Sequence, residues 1–182
     1  MDYTAEMQHT EESIRRLSGV QYHTFRPGVR LLWLLVGMGS ICAAVFCGAN
    51  QLLFYLLMLA GCWLMMNLDL PAKHRADKII ASAGGKLPHA RFCFRKEDFT
   101  VKSADYEKTL NYRQLFSLLE DGEYLYLFVN RNAGYIVDKS TVSAEEWDGF
   151  KALLESASGL TFRSPTTLMN LNLRRFLKPG RK

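Results

Sequence analysis

This sequence contains few cysteines, and none of them lies where a disulfide framework or a zinc site would need it. Its 182 residues include four cysteines, of which Cys42, Cys47 and Cys62 lie in apolar runs and Cys93 stands alone. No Cys-x-x-Cys pair is present, and the four histidines are scattered without a metal-binding spacing. This pattern argues against an extracellular disulfide module and gives no basis for a metal site.

Catalytic motifs are also missing. The chain has no Gly-x-Ser-x-Gly, no Walker phosphate loop, no His-Glu-x-x-His and no Cys/His pairing. Several carboxylates, such as Asp98, Asp105 and Asp121, fall in expected turns rather than in the paired arrangement that acid–base catalysis uses. We therefore expect a protein that is not an enzyme, with no catalytic residues and no cofactor or metal.

One long stretch of the chain has no charged side chain. No Asp, Glu, Lys or Arg occurs in the 38 residues from Leu31 to Leu68. This stretch divides into two apolar runs, 31–49 and 52–68, separated only by Asn50 and Gln51. About 20 helical residues cross a hydrocarbon core of ~30 Å, so the stretch is too long for one span and fits two. The pattern predicts a transmembrane hairpin at 31–68 and hence an integral membrane protein.

The distribution of Lys and Arg predicts how the hairpin is oriented. Arg26 and Arg30 precede the first run, Lys73, Arg75 and Lys78 follow the second, and the turn between the runs is uncharged. Basic flanks are retained in the cytoplasm. We expect a multi-pass protein of the plasma or inner membrane, with both termini cytoplasmic and without a cleavable signal peptide.

Small residues recur every four positions along the first run. Gly39 and Ala43 form one such row with Cys47, and Ser40 and Ala44 form another with Gly48. Residues at this spacing share a helix face and let two helices approach closely in lipid. The rows predict transmembrane packing, either of the first span on the second or of one chain on another in a homo-oligomer.

The charges divide the rest of the chain into four parts. Residues 1–30 are expected to be a cytoplasmic segment with a short helix at 8–19, begun by Thr10 and ended by Gly19. Residues 69–90 carry four basic and two acidic residues and predict a basic juxtamembrane linker, helical at 72–83. Residues 91–159 carry nine basic and twelve acidic residues and predict a folded domain. Residues 160–182, with six basic and no acidic residues, predict a basic tail.

Within residues 91–159 the apolar side chains first alternate and then take a helical spacing. The alternation predicts strands at 91–95, 99–103, 106–112, 124–130 and 134–137, with a loop or one helical turn at 112–119. Ser143 and Glu146 form an expected capping box that begins a helix, and Gly159 ends it. This order predicts an α+β membrane protein whose soluble part is a small antiparallel β-barrel or sheet, like a pleckstrin-homology (PH) domain, capped by a C-terminal helix.

The expected core of this domain consists of apolar and aromatic side chains on the inward faces of these elements. They are Phe92, Phe94, Phe99, Val101, Tyr126, Phe128, Ile136, Trp147 and Phe150.

Three segments of the domain resemble the YcxB-like family. They are 92–99 (FCFRKEDF), 106–112 (YEKTLNY) and 120–128 (EDGEYLYLF), followed by YIVDK at 135–139 and the helix that bears Trp147 and Phe150. The resemblance implies two membrane helices followed by a cytoplasmic PH-like domain, in a bacterial protein. It assigns no catalytic role to any side chain, and Asp138 stands where such proteins often have proline.

The tail is the best candidate for contact with a partner or a lipid. On a helix, Met169, Leu173 and Phe176 would share one face, and Arg174, Arg175 and Lys178 would remain in water, which suits an anionic membrane surface. Two other interpretations stay open, namely a solvated basic tail and extra strands at 160–164 and 168–173 that pack on the domain.

Together these features predict a non-enzymatic membrane protein that presents a PH-like domain to a protein or to lipid headgroups. The expected partners are the bilayer, anionic headgroups, another membrane protein or a second copy of the chain. Nucleic acid is not expected, because the domain is net acidic. The alternative is a subunit or regulator of a membrane assembly that recognises partners through its transmembrane helices.

Overall fold

A computed structural model describes residues 2–47, 50–84, 87–104 and 106–165. The chain forms two compact units. One, called the α+β unit, combines residues 1–13 with 85–182, and the other, called the helical unit, is residues 14–84. The helical unit is therefore inserted in the sequence of the α+β unit.

Four helices account for the helical unit and the residues that lead into it. They are α1 (Glu11–Phe25), α2 (Pro27–Phe46), α3 (Gln51–Met66) and α4 (Leu70–Ser82). Pro27 occupies the first turn of α2, where its missing N–H is not needed, and the Asn50 side chain accepts a hydrogen bond from the Leu53 amide at the start of α3. Helix α2 overlaps the first predicted run, 31–49, and helix α3 overlaps the second, 52–68. Gly48 and Ala49, at the end of the first run, lie outside the described residues.

Helix α1 differs from its prediction at the C-terminal end. Thr10 caps it as predicted, since its Oγ1 accepts from the Ser13 amide at 3.1 Å and Ser13 Oγ accepts from the Thr10 amide at 3.0 Å. Gly19, expected to end the helix, lies inside it. A single helical glycine costs about 1 kcal/mol. The helix nevertheless continues, and Gln21 and Tyr22 beyond the glycine are buried.

The α+β unit contains two antiparallel sheets. The first has the order β1 (Tyr3–Gln8), β2 (His89–Phe94), β3 (Asp98–Ser103), β4 (Glu107–Asn111). The second has the order β5 (Ser117–Glu120), β6 (Tyr124–Asn130), β7 (Ala133–Asp138). Helix α5 (Trp147–Ser158) follows. The fold is thus α+β with antiparallel sheets, and the described strands do not close into one barrel.

Strand β1 is absent from the sequence prediction, which treated residues 1–30 as a separate segment. Tyr3 pairs with Phe94 and Gln8 with His89, and the side chains of Tyr3, Ala5 and Met7 are buried in the core. The alternation of these three residues is present in the sequence. The partner strand, however, is about 85 residues away, so local pattern did not connect the two.

Strand β5 also differs from the prediction of a loop or helical turn at 112–119. A 3-10 turn does occur at Tyr112–Gln114, but residues 117–120 pair with β6. Leu118 and Leu119 are both buried, so this strand shows no alternation of polar and apolar side chains. The period-two pattern therefore could not reveal it.

The predicted core is confirmed with one exception. Eight of the nine residues are fully buried, whereas Trp147 is half-buried. Phe94 lies at the centre, with ring centroids 4.8 Å from Phe150 and 5.6 Å from Phe99. Ser143 Oγ donates to Glu146 Oε2 at 2.8 Å, but α5 begins only at Trp147, after a turn at 144–146. Gly159 ends the helix with φ of 70°, as predicted.

Candidate functional site

The point where the chain leaves and re-enters the α+β unit is a pair of adjacent strand ends. The His9 amide donates to the Pro88 carbonyl at 3.4 Å, next to the Gln8–His89 pair. Glu6 accepts from Arg91 Nε at 2.8 Å and lies 3.3 Å from His89 Nε2. Burial, with a smaller contribution from His89, lowers the pKa of His9. This region joins the helical unit to the sheet and contains a histidine that resists protonation.

Two glycines that the sequence analysis did not select, Gly37 and Gly61, form a close contact of α2 with α3. A Cβ placed on Gly61 would lie 2.9 Å from the Gly37 carbonyl oxygen and 2.6 Å from Ile41 Cγ1. Ser40 Oγ donates to the Leu57 carbonyl at 2.9 Å, and Ala44 is completely buried. The spacing of 37, 40, 41 and 44 could have indicated this face, because it follows the helical period of three and four.

The four residues selected for transmembrane packing are divided between two faces. Ser40 donates a hydrogen bond to α3 and Ala44 is buried, whereas Gly39 and Ala43 are exposed in the described structure. No atom comes within 4 Å of a Cβ built on Gly39. The row containing Ser40 thus lies in the hairpin, and the row containing Gly39 faces outward.

A polar cluster lies where α1, α2 and the break between α3 and α4 meet. Asp69 Oδ1 is 2.9 Å from His23 Nε2 and 3.4 Å from Arg30 Nε. Arg30 is buried although it is charged, and the nearby Tyr22 hydroxyl is buried without a hydrogen-bond partner in the described residues. Burial, and secondly the Asp69 carboxylate, raise the pKa of Tyr22. The cluster fixes both arms of the hairpin to one another at the end where they leave the apolar runs.

A second charged cluster joins β5 to α5 in the α+β unit. The Glu120 carboxylate accepts from Lys139 Nζ and Lys151 Nζ, both at 2.7 Å. Burial alone would raise the pKa of Glu120, but the hydrogen bonds from the two lysines outweigh it and lower the pKa. Lys139 also lies 4.8 Å from the ring centre of Trp147. Because both lysines are bound to Glu120, this cluster braces β5 against α5.

Two shallow grooves lie beside this brace and share Gly122. One, of about 440 Å³, is lined in part by Glu120, Lys151 and Phe162. The other, of about 510 Å³, is lined in part by Tyr124 and Lys139. Both grooves are lined by acidic and basic side chains, but no three His, Cys, Asp or Glu side chains within the described ranges could share a metal ion.

The tail residues selected for lipid or partner contact, Arg174, Arg175 and Lys178, lie outside the described residues, as do 168–173. The described part of the tail does pair with the domain. The Glu120 amide donates to the Arg163 carbonyl at 2.9 Å, and the Arg163 amide donates to the Leu118 carbonyl at 3.2 Å, forming a parallel bridge on β5. Of the extra strand considered at 160–164, the structure shows an isolated bridge at Arg163.

One helix of the described chain, α2, is long and apolar enough to cross a membrane. Helices α3 and α4 pass the same test only when taken together, and they are bent by 52° at their junction. The test concerns length and composition. α2 is therefore a candidate span. Helix α3 alone has 16 residues, one fewer than the predicted run 52–68, and is shorter than the ~20 residues that cross a hydrocarbon core.

Comparison with known proteins finds a family similarity for about a third of the chain. No curated protein matches this sequence. Residues 94–154 match the family described as YcxB-like protein. The matched segment begins at the end of β2 and ends in α5, so it omits β1 and the helical unit. The match supports the assignment of the region 94–154 to the YcxB-like family.

Proposed function

We propose that this chain is a non-enzymatic membrane protein in which the α2–α3 hairpin crosses the bilayer and the α+β unit acts as a PH-like binding domain. The observation that carries the proposal is the exposure of large apolar side chains along both helices. Leu32 is 59% exposed, Leu35 57%, Leu52 72% and Leu59 72%. A water-soluble protein would bury such a continuous surface, whereas lipid solvates it.

The way the two units are connected supports this arrangement. Because β1 and β2 pair side by side, both ends of the helical insertion emerge from one place in the sheet. The binding domain is then attached to the membrane hairpin by two chain segments rather than by one linker. We propose that both termini lie in the cytoplasm, since Arg26, Lys73, Arg75 and Lys78 flank the hairpin and its turn is uncharged.

The binding partner that best fits the domain is a protein segment in an extended conformation. β4 is the last strand of its sheet, and no described strand pairs with its outer edge. An exposed edge can accept a partner strand through main-chain hydrogen bonds. The edge of β5 is less accessible, because Arg163 already occupies it. A lipid headgroup is the other ligand class for this domain. Crosslinking distinguishes the two classes, because it shows whether a protein is captured.

Membrane insertion is tested by alkaline extraction of membranes from cells that produce the full chain. We expect the wild type to remain in the membrane pellet, and Leu35→Lys with Leu59→Lys to release a large fraction, since each charge at mid-span costs about 3 kcal/mol. The matched control is Leu35→Met with Leu59→Met, which retains the apolar surface. Extraction of the wild type into the supernatant would contradict the proposal.

A second candidate function is that of a subunit or regulator recognised through its membrane helices. The exposed Gly39 and Ala43 on the outer face of α2 favour it, because small residues permit close helix contact. Photoreactive residues at Lys108 on β4 and at Ala43 on α2 discriminate the two functions. Capture of a protein only at Lys108 supports the PH-like domain, and capture only at Ala43 supports the alternative.

A further inference from the structure

Helix α4 carries an exposed basic surface next to the polar end of the hairpin. Lys73 and Lys78 are exposed, and neither has an ion pair among the described residues. The one exposed acid between them, Asp77, is paired with Arg15 at 2.8 Å. The opposite face of α4 is occupied, since Ala72 and Ala76 are buried. The outward face of α4 therefore has a net positive charge.

The Asp69 cluster indicates where the membrane surface crosses the helical unit. Arg30 and Asp69 are the first charged residues on either side of the apolar runs, and Asp69 contacts both Arg30 and His23. Charged groups of this kind avoid the hydrocarbon core and take positions at the interface. Helix α4 begins immediately after Asp69, and so it starts at the level of the lipid headgroups.

The bend between α3 and α4 keeps the lysines near that level. Lys78 lies about 12 Å along the axis from Leu70, at 1.5 Å per residue. With α3 along the membrane normal, a bend of 52° reduces its height above the surface to about 7 Å. This is less than the screening length of about 8 Å at physiological salt, whereas a straight continuation of α3 would exceed it. Lys73 lies lower still.

From this geometry we propose that Lys73 and Lys78 of α4 bind the headgroups of anionic phospholipids. The proposal rests on the proposed function, because it requires the α2–α3 hairpin to be inserted in a bilayer. It differs from the tail contact expected from the sequence, since it places the lipid site on a helix that follows the second span directly. Each cation near an anionic leaflet contributes about 1 kcal/mol of attraction, which corresponds to a change of about fivefold in the binding constant for anionic lipid per lysine.

The experiment reconstitutes the full chain in bilayers of equal parts phosphatidylglycerol and phosphatidylcholine and then extracts it gently in mild detergent. Mass spectrometry measures the ratio of anionic to zwitterionic lipid that stays bound. We expect an excess of anionic lipid on the wild type and a fall of at least about fivefold for Lys73→Gln with Lys78→Gln. The variant Lys73→Arg with Lys78→Arg should retain the excess.

The control replaces two exposed basic residues of the α+β unit that lie outside β4, Lys96→Gln with Arg131→Gln, and makes the same change in net charge. An unchanged lipid ratio in the α4 variant, or an equal fall in the control, would overturn the proposal. Alkaline extraction of the same membranes reports on the proposed function separately. A wild type that is extracted refutes insertion itself, whereas an inserted protein without a lipid preference refutes only the α4 site.

Discussion

The imidazole of His23 lies 2.9 Å from the carboxylate of Asp69 and connects α1 to the break between α3 and α4. These residues are 46 positions apart in the sequence. The same carboxylate faces Arg30, whose side chain is only 10% exposed. Asp69 is therefore the group that compensates a nearly buried positive charge, and it holds three segments of the helical unit together.

Replacement of this carboxylate should destabilise the helical unit. In Asp69→Asn the Arg30 guanidinium loses its counter-charge while it remains buried, and we expect a loss of about 2 kcal/mol in the free energy of unfolding. Thermal unfolding of the full chain in detergent measures the effect. The control is Asp77→Asn, whose partner Arg15 is half exposed, so that a loss under about 1 kcal/mol is expected. Equal losses in the two variants would contradict this role of Asp69.

The contact of α2 with α3 depends on Gly61. Gly61→Val would place a Cβ too close to the Gly37 carbonyl, a backbone atom that cannot move alone, so the helices must separate. We expect a destabilisation of about 1–3 kcal/mol and faster proteolysis of the hairpin in detergent. Gly39→Val is the matched control and should be neutral, because nothing lies near its Cβ. If Gly39→Val had the larger effect, the observed helix contact would be wrong.

Acid should weaken the junction of β1 and β2 through His9. Its pKa is lowered on folding, so the unfolded chain binds the proton more readily. The stabilising contribution of neutral His9 is therefore complete above its ordinary pKa of 6.5 and is lost as the pH falls through the lower folded value. We expect His9→Gln to reduce the fall in Tm between pH 7.5 and 5 relative to the wild type. His74→Gln, at an exposed site on α4, should leave the fall unchanged.

The N-terminal strand should be required for the α+β unit to fold. Ala5 is 1% exposed and faces the core, so Ala5→Asp would bury a carboxylate without a partner and cost about 3 kcal/mol or more. Thr4→Asp, one position along the same strand, points outward and should be tolerated. Limited proteolysis of the full chain should cleave residues 89–158 rapidly only in Ala5→Asp. Equal protection in both variants would show that β1 is dispensable.

Local pattern predicted much of the fold because its signals lie within single segments. Strand β6 has the predicted bounds. The ends of β2, β3 and β7 lie no more than two residues from the predicted ends. Alternation reveals such strands, since one face is buried and the other exposed. β1 and β5 were not found, the first because its partner is distant and the second because both of its faces are covered.

The candidate sites divide in a similar way. The rows of small residues on α2 and the basic tail can be found from spacing and charge, and the sequence indicated both. The contacts of Gly37 with Gly61 and of Asp69 with His23 and Arg30 could not be found in this way, because each joins residues that only the folding of the hairpin brings together.

Sequence alone determined that this chain has an uncharged apolar hairpin next to a small antiparallel domain, because solvation of apolar surface and strand periodicity are local properties. Tertiary structure decided that residues 3–8 complete the sheet and that the hairpin is an insertion between two paired strands. It also decided which face of α2 meets α3 and how far α4 bends from α3. These features depend on long-range pairing and on close packing, which are set by the whole fold and not by any one segment.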